Sequence, residues 1–344
     1  MPLGQIAFLG SGETSLAGGR IFESLARNRG QPLRIALLET PAGFELNSSQ
    51  VVGKVGDFMK TRLQNYKPVV EVIPARKLNS PFSPDDPEII RPLLHANMIF
   101  MGPGSPTYAI RHLKGTLAWD VIRARHRLGA TLVFASAATI SVGAHALPVY
   151  EIYKVGQEIH AVDGLDLFSD FGVHISFIPH WNNAEGGVDL DTSRCFVGMD
   201  RFSEWCSFIP PDHPIIGLDE HTGFIVDFET GLCEVSGVSS VSLVRECDPG
   251  MYPSGSKFPV SELGAIQIPS PLDENIPAAV WDMVLHAPPL EDNQPPHEVT
   301  ALAEQRLTAR ANKNWAESDR LRDEIFSHGW TVQDGREGYK LVKH

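Results

Sequence analysis

The chain is short of the features that would mark a metal knuckle, a disulfide scaffold, a membrane protein or a general nucleic-acid binder. Its four cysteines, Cys195, Cys206, Cys233 and Cys247, fall in no CxxC spacing and in no zinc-finger pattern with histidine. They read as reduced packing thiols, and no metal or organic cofactor is expected. No apolar stretch reaches the roughly 18 residues of a spanning helix, and no basic region precedes the short apolar run of MPLGQIAFLGSG, so no membrane association and a cytoplasmic location are expected. Positive charge is scarce: 29 Lys and Arg face 42 Asp and Glu, a formal charge of −13. That disfavours phosphate binding over the whole surface, which needs clustered cations. What is present is 42% hydrophobic residues in 344, enough for two domains of about 100 to 200 residues each.

Short apolar runs recur along the first half of the chain: QIAFLG, RIALLET, VVEVI, NMIFMG, TLVFA and VHISFIPH. Each is nearly continuous in apolar character, as strands covered on both faces are. Helical patterns lie between them, among them GGRIFESLARN from Gly18, SQVVGKVGDFMKTRLQNY from Ser49 and TLAWDVIRARHRLG from Thr116. Alternating strand and helix implies an α/β fold with a doubly wound, mainly parallel sheet flanked by helices. After residue 213 the texture becomes short strands and turns, read as the closing β-rich edge of the same domain, 1–286. Residues 287–296, APPLEDNQPP, read as a Pro-rich linker. Beyond it, 297–344 reads as two helices and a hairpin. Asn314 caps the second helix, Trp315, Leu321 and Ile325 share one face, and Gly329 stops it.

Three strand ends carry chemistry. LVFASAATISVG stops being strand-like at Ala135 and continues with Ser136 and small residues. Open α/β sheets place their sites at such carboxyl ends. A nucleophilic serine needs a histidine base, an acid to orient it and two backbone donors for the oxyanion. His180 closes VHISFIPH, Glu220 follows IIGLD with Asp219 as the fallback acid, and the loop GPGSPTY offers Gly104 as one donor with Ala137 as the other. The bland reading stays open: Ser136 as a small packing residue, His180 as a structural histidine. His174, inside the sixth run, reads as a core residue. GSGETS lacks the third glycine of a dinucleotide loop and reads as a tight turn at the edge of the sheet. The polar stretch HWNNAEGG is either a substrate loop, with Asn182, Asn183 and Glu185 meeting amide or cationic groups, or a hydrogen-bonded turn.

Over roughly residues 5–245 these elements resemble the serine hydrolases of the class I glutamine amidotransferase-like fold, the peptidase E and cyanophycinase family. FASAAT looks like the Gly-x-Ser-Ala-Gly-Ala nucleophile element, IPHW like its histidine strand end, GLDE like its acid and PGSP like its oxyanion loop. The resemblance implies Ser136 as nucleophile, His180 as base, Glu220 as acid, and Gly104 with Ala137 as oxyanion donors. The implied reaction is acyl-enzyme hydrolysis of an amide or peptide bond in a small, dipeptide-like substrate. The chain departs from the pattern at Phe134 and Ala138, which replace the elbow glycines, and at Pro103, which replaces the first loop glycine and has no N–H to donate.

The tail resembles a second family. R-x-x-x-AR-x-x-K-x-W-x-x-SD-x-LRDE, from Arg306 to Glu324, with the DGREG turn and GYKL after it, is similar to the C-terminal segment of cysteinyl-tRNA synthetases. That resemblance implies RNA contact through Arg306, Arg310, Lys313, Arg320 and Arg322. Neither nucleotide-binding signature of a synthetase is found. From His297 on there are eight Lys or Arg and eight Asp or Glu, so the acidity belongs to the rest of the chain. The alternative reading is a hydrolase-fold binding module whose tail docks tRNA or a protein partner, and a homodimer stands open beside it.

Overall fold

A computed structural model describes residues 2–27, 32–246, 248–270, 272–288, 295, 297–335 and 338–343. The chain divides into two compact units, 1–287 and 288–344.

In the larger unit the first five apolar runs become five parallel strands: Ile6–Leu9 (β1), Arg34–Leu38 (β2), Val69–Ile73 (β3), Met98–Met101 (β4) and Thr131–Ala135 (β5). They lie in the order β1-β5-β4-β2-β3. Successive strand side chains point to opposite faces, and both faces here are covered. Ile6, Phe8, Leu132 and Phe134 enter one apolar cluster, while Ala7, Leu9, Val133 and Ala135 enter a second. The second cluster is closed by Ile21, Phe22 and Leu25 of the helix Leu16–Ala26 and by Val52, Val55 and Met59 of the helix Ser48–Arg62. The helix Leu117–Arg127 covers the opposite face, and Thr116 caps it by accepting from Trp119 N–H.

The later strands depart from a single sheet. A two-residue hairpin, His145–Ala146 (β6) with Val162–Asp163 (β7), comes first. Ser176–Ile178 (β8) then pairs in parallel with Ile215–Leu218 (β9) in a second, four-stranded sheet. Thr222–Asp227 (β10) turns back to take the open edge of β1, and Leu232–Gly237 (β11) adds to it. Ser240–Arg245 (β12) and Asp248–Pro253 (β13) complete the second sheet, and Lys257–Pro259 (β14) completes the first at eight strands. The sixth run is kept out of the main sheet because β10 already occupies the edge it would need. His174 precedes β8 and escapes its alternation; its side chain is 45% exposed and Nδ1 meets Asp166 Oδ2 at 2.7 Å, so it is not a core residue. β1 is interior, so GSGETS turns at the end of a central strand and not at the sheet's edge. Gly12 adopts φ +75° there, and Ser15 Oγ caps the following helix by accepting from Gly18 N–H at 3.2 Å.

The smaller unit holds the helices His297–Ala311 and Trp315–Ser327 and the hairpin Trp330–Gly335 (β15) with Gly338–Lys343 (β16). Val299, Ala303, Ile325, Trp330 and Val332 form its core. Asn314 Oδ1 caps the second helix by accepting from Glu317 N–H at 3.3 Å, and Gly329 takes φ +81° at its end. Trp315 is not on the buried face: it is 56% exposed, whereas Leu321 and Ile325 are buried. At about 100° per residue Trp315 stands roughly 80 to 120° away from those two. Of the stretch read as a linker, residues 289–294 and 296 lie outside the described residues. No helix among the described residues is long and apolar enough to cross a membrane.

Candidate active site

Strand ends from both sheets of the larger unit converge. β5 ends at Ala135, and Ser136 takes φ 52° and ψ −116° before a short helix, Ala137–Ser141. A positive φ on a residue with a Cβ costs on the order of 1 to 3 kcal/mol and is held by its surroundings. Ser136 N–H donates to Leu9 O at 3.2 Å and Ala138 N–H to Gly102 O at 3.3 Å, which tie the elbow to β1 and to the loop after β4. Phe134 and Ala138, where the resembled family has glycine, are wholly buried, and the Phe134 ring packs 5.7 Å from Phe8. The phenyl group is a core side chain, and the strained dihedral falls on Ser136.

His180 also has a positive φ, 50°, and its N–H donates to Gly10 O at 3.2 Å. Its Nε2 lies 3.0 Å from Ser136 Oγ, and its Nδ1 lies 3.0 Å from Glu220 Oε1. An ionised carboxylate only accepts, so the ring proton belongs on Nδ1, and Nε2 is left to accept from the serine hydroxyl. Burial would raise the Glu220 carboxyl, but the hydrogen bonds from His180 and Asn183 and the charges of His180 and His221 outweigh it and hold the group below its ordinary value. Asp219 faces elsewhere: Oδ2 accepts from Ser239 Oγ, Ser240 N–H and Ser240 Oγ at 2.7, 3.1 and 2.9 Å.

Ser136 and His180 open on a cavity of about 260 Å³ with Gly104, Ala137 and Glu185 in its wall. Ala137 is the first helical residue, so its N–H has no carbonyl partner inside the helix. Gly104 sits at φ +146°, and a Cβ there would fall 1.9 Å from Pro41 O, so only glycine fits at this place in the wall. Asn182 and Asn183, expected at the substrate, are turned to Glu220 instead: Asn183 Nδ2 donates to Glu220 Oε1 at 3.0 Å and Asn182 Oδ1 accepts from Glu220 N–H at 2.8 Å. Of that stretch only His180 and Glu185 line the cavity.

Several wall residues carry no site role in the sequence reading: Tyr150, Tyr153, Lys154, Phe196 and Cys195, which reads there as a packing thiol. Arg194, Cys195 and Phe196 have φ of 57, 60 and 71°, three left-handed non-glycine residues in a row. Cys195 N–H donates to His180 O and Arg194 N–H to Trp181 O, so the turn braces the histidine's own backbone. The Arg194 guanidinium lies 3.9 Å from the Trp181 ring centre. No turn residue in SRCFV signals this geometry. Burial, and then the Glu220 charge, pushes the Cys195 thiol up to about 12, so it is no rival nucleophile at neutral pH. Among the described residues no group of His, Cys, Asp or Glu is arranged to hold a metal.

In the tail, four of the five cations expected to meet RNA are paired internally. Arg306 and Arg310 reach Asp334 at 2.7 and 3.4 Å, Arg320 reaches Glu317 and Glu324 at 2.7 Å each, and Arg322 reaches Asp319 at 3.3 Å. The Arg310 guanidinium also stands 5.7 Å from the centre of the exposed Trp315 ring.

Comparison with known proteins bears on each unit separately. The larger unit has a peptidase fold: a peptidase from an acI-B1 Actinobacterium superposes with a TM-score of 0.60 at 19% identity, covering 75% of this chain and 97% of that one. A putative peptidase E protein from Listeria monocytogenes EGD-e aligns at TM-score 0.45 and 16% identity, over 69% of this chain and all of that one. Residues 292–339 match the family model of the cysteinyl-tRNA ligase anticodon binding domain. The cysteine–tRNA ligase of Chlamydia trachomatis serovar A is 50% identical over 62 residues, 18% of this chain and 13% of that protein. That of Pseudomonas fluorescens Pf0-1 is 58% identical over 41 residues, 12% of this chain and 9% of that one. The chain thus spans about an eighth or less of the length of these curated relatives.

Proposed function

We propose that the larger unit is a serine hydrolase that cleaves a peptide or amide bond through an acyl-enzyme. The observation that carries this reading is the unbroken line Ser136 Oγ, His180 ring, Glu220 Oε1, with 3.0 Å at both contacts and the serine open to a cavity. In the reaction His180 Nε2 takes the hydroxyl proton as Ser136 Oγ attacks the carbonyl, and returns it to the leaving amine. Water, deprotonated by the same nitrogen, then releases the acyl group. Glu220 steadies the imidazolium, and the Ala137 and Gly104 amides meet the oxyanion. A cavity of about 260 Å³ with Lys154 and Glu185 in its wall suits a short, dipeptide-like substrate carrying both charges. A fluorophosphonate probe tests the reading: the folded wild type should be labelled at Ser136, and Ser136→Ala not at all. A folded wild type that resists the probe would leave the binding-module alternative.

We propose that the tail docks tRNA, in keeping with a cytoplasmic location. The match to an anticodon binding domain supports this, together with an exposed Trp315 beside Arg310, a surface on which a base can stack. Among the described residues of the tail, Lys313, Lys340 and Lys343 are the cations outside its internal ion pairs. Titration of the full chain with tRNA should show affinity that falls with salt, with a small slope because few cations are available. Trp315→Ala should weaken binding by about 1 to 3 kcal/mol. Absence of binding at low salt ends this reading.

A further inference from the structure

Asn183 is a buried polar residue beside the array of Ser136, His180 and Glu220. It is 3% exposed and is not among the residues that line the cavity, and its side-chain nitrogen, side-chain oxygen and main-chain N–H are each hydrogen-bonded. Its Nδ2 donates to Glu220 Oε1 at 3.0 Å, the same oxygen that His180 Nδ1 meets at 3.0 Å. Its Oδ1 accepts from Glu185 N–H at 3.2 Å, and its own N–H donates to His180 O at 3.1 Å. The terminal torsion of a glutamate is broad and roughly two-fold. One contact from the imidazole does not settle which oxygen faces it, and the Glu220 side chain is 31% exposed, so water competes. A second donor aimed at Oε1 settles both.

We infer that Asn183 is a positioning residue, locking Glu220 Oε1 in line with His180 Nδ1 while tying the Glu185 segment of the cavity wall to the same carboxylate. The inference rests on the hydrolase reading of Ser136. The side-chain amide does both tasks from separate atoms, donating to the carboxylate from Nδ2 and accepting from the main-chain N–H at Oδ1. Asn182 complements it through the main chain of Glu220. The titratable groups around this carboxylate are His180, His221 beside it in sequence and the Cys195 thiol. Glu185 and Lys154 are the charged groups in the cavity wall.

The test is the rate of fluorophosphonate labelling of Ser136 against pH in the full chain. Asn183→Asp is nearly isosteric: it keeps the acceptor for Glu185 N–H and replaces the donor by an anion, which stabilises the imidazolium. Its labelling midpoint should move to higher pH by about one unit or more. Asn183→Ala frees the carboxylate, and its plateau rate should fall about tenfold or more, with a displaced midpoint, as for a base held out of line. A merely structural residue would lower the rate at every pH and leave the midpoint in place. Both variants retaining the wild-type midpoint, whatever their plateau, overturns the inference and leaves the hydrolase reading standing. Failure of the folded wild type to label at all removes that reading first, and the inference with it.

Discussion

The two units of the chain treat polar groups in opposite ways. In residues 1–287 a serine, a histidine and a glutamate follow the ends of strands, two of them on positive φ, and the serine and histidine open on a cavity. In the tail the charges close on one another: Arg306 on Asp334, Arg320 on two glutamates, Arg322 on Asp319. The formal charge divides the same way, because the whole −13 falls on residues 1–296 and the tail sums to zero. A site that does chemistry keeps reactive valence unsatisfied by the fold and tolerates strain for it. In the small unit the described arginines are taken up in ion pairs, and the exposed Trp315 ring stands beside one of them.

The sharpest way to break this contrast is at Glu220. Glu220→Gln keeps the shape but not the charge, and it can place a donor opposite His180 Nδ1–H, which favours the wrong tautomer. Labelling of Ser136 should slow by about 100- to 10,000-fold at neutral pH. The wild-type carboxyl titrates below its ordinary value, so the contribution of its charged form is present above that value and lost as pH falls through the lowered one. Loss of labelling that sets in above about pH 4.5 therefore belongs to another group. A Glu220→Gln protein that labels at the wild-type rate would reduce the acid to a structural hydrogen bond.

A smaller effect is expected at Arg306, where Nη1 and Nη2 hold both oxygens of Asp334 at 2.7 and 3.1 Å and the guanidinium is 4% exposed. Arg306→Ala should destabilise the tail by about 2 kcal/mol, below the cost of breaking a fully buried pair because Asp334 is 41% exposed. Hydrogen exchange in β15 and β16 should accelerate about 30-fold, which is that energy expressed as a population. Unchanged exchange would mean that the tail is held by its small apolar core alone.

Much of this was legible in the sequence, for physical reasons. Five apolar runs became five parallel strands because both faces of the sheet are covered, and Ser136, His180 and Glu220 meet because each follows a strand. The second sheet was not legible, since VHISFIPH has the same texture as a main-sheet strand and only competition for the edge of β1 separates them. For Asn182 and Asn183 the residues leave a substrate loop and a hydrogen-bonded turn both open, because polarity beside a site does not say which way a side chain turns. Trp315 does not share the face of Leu321 and Ile325, because six and ten residues at about 100° each leave it roughly 80 to 120° from them. The left-handed turn at Arg194, Cys195 and Phe196 carries no glycine, so the residues give no sign of it.

The smallest predicted effect bears on the strain itself. Ser136 takes φ 52° and ψ −116° between a buried phenylalanine and a helix that starts one residue later. Glycine adopts such a conformation without a Cβ penalty, so Ser136→Gly should raise stability by about 1 kcal/mol, the released strain less the extra freedom of glycine in the unfolded chain. Ser136→Ala removes the same hydroxyl but keeps the Cβ, and should gain nothing. Comparing the two by thermal unfolding separates backbone strain from the loss of the His180 contact, because both variants lose that contact equally. A glycine variant that melts about 2 °C above the alanine variant would locate stored strain at Ser136. Equal melting would mean that the surrounding hydrogen bonds to Leu9 and Gly102 hold the elbow without cost, and that the strand end of the larger unit is as relaxed as the paired surface of the tail.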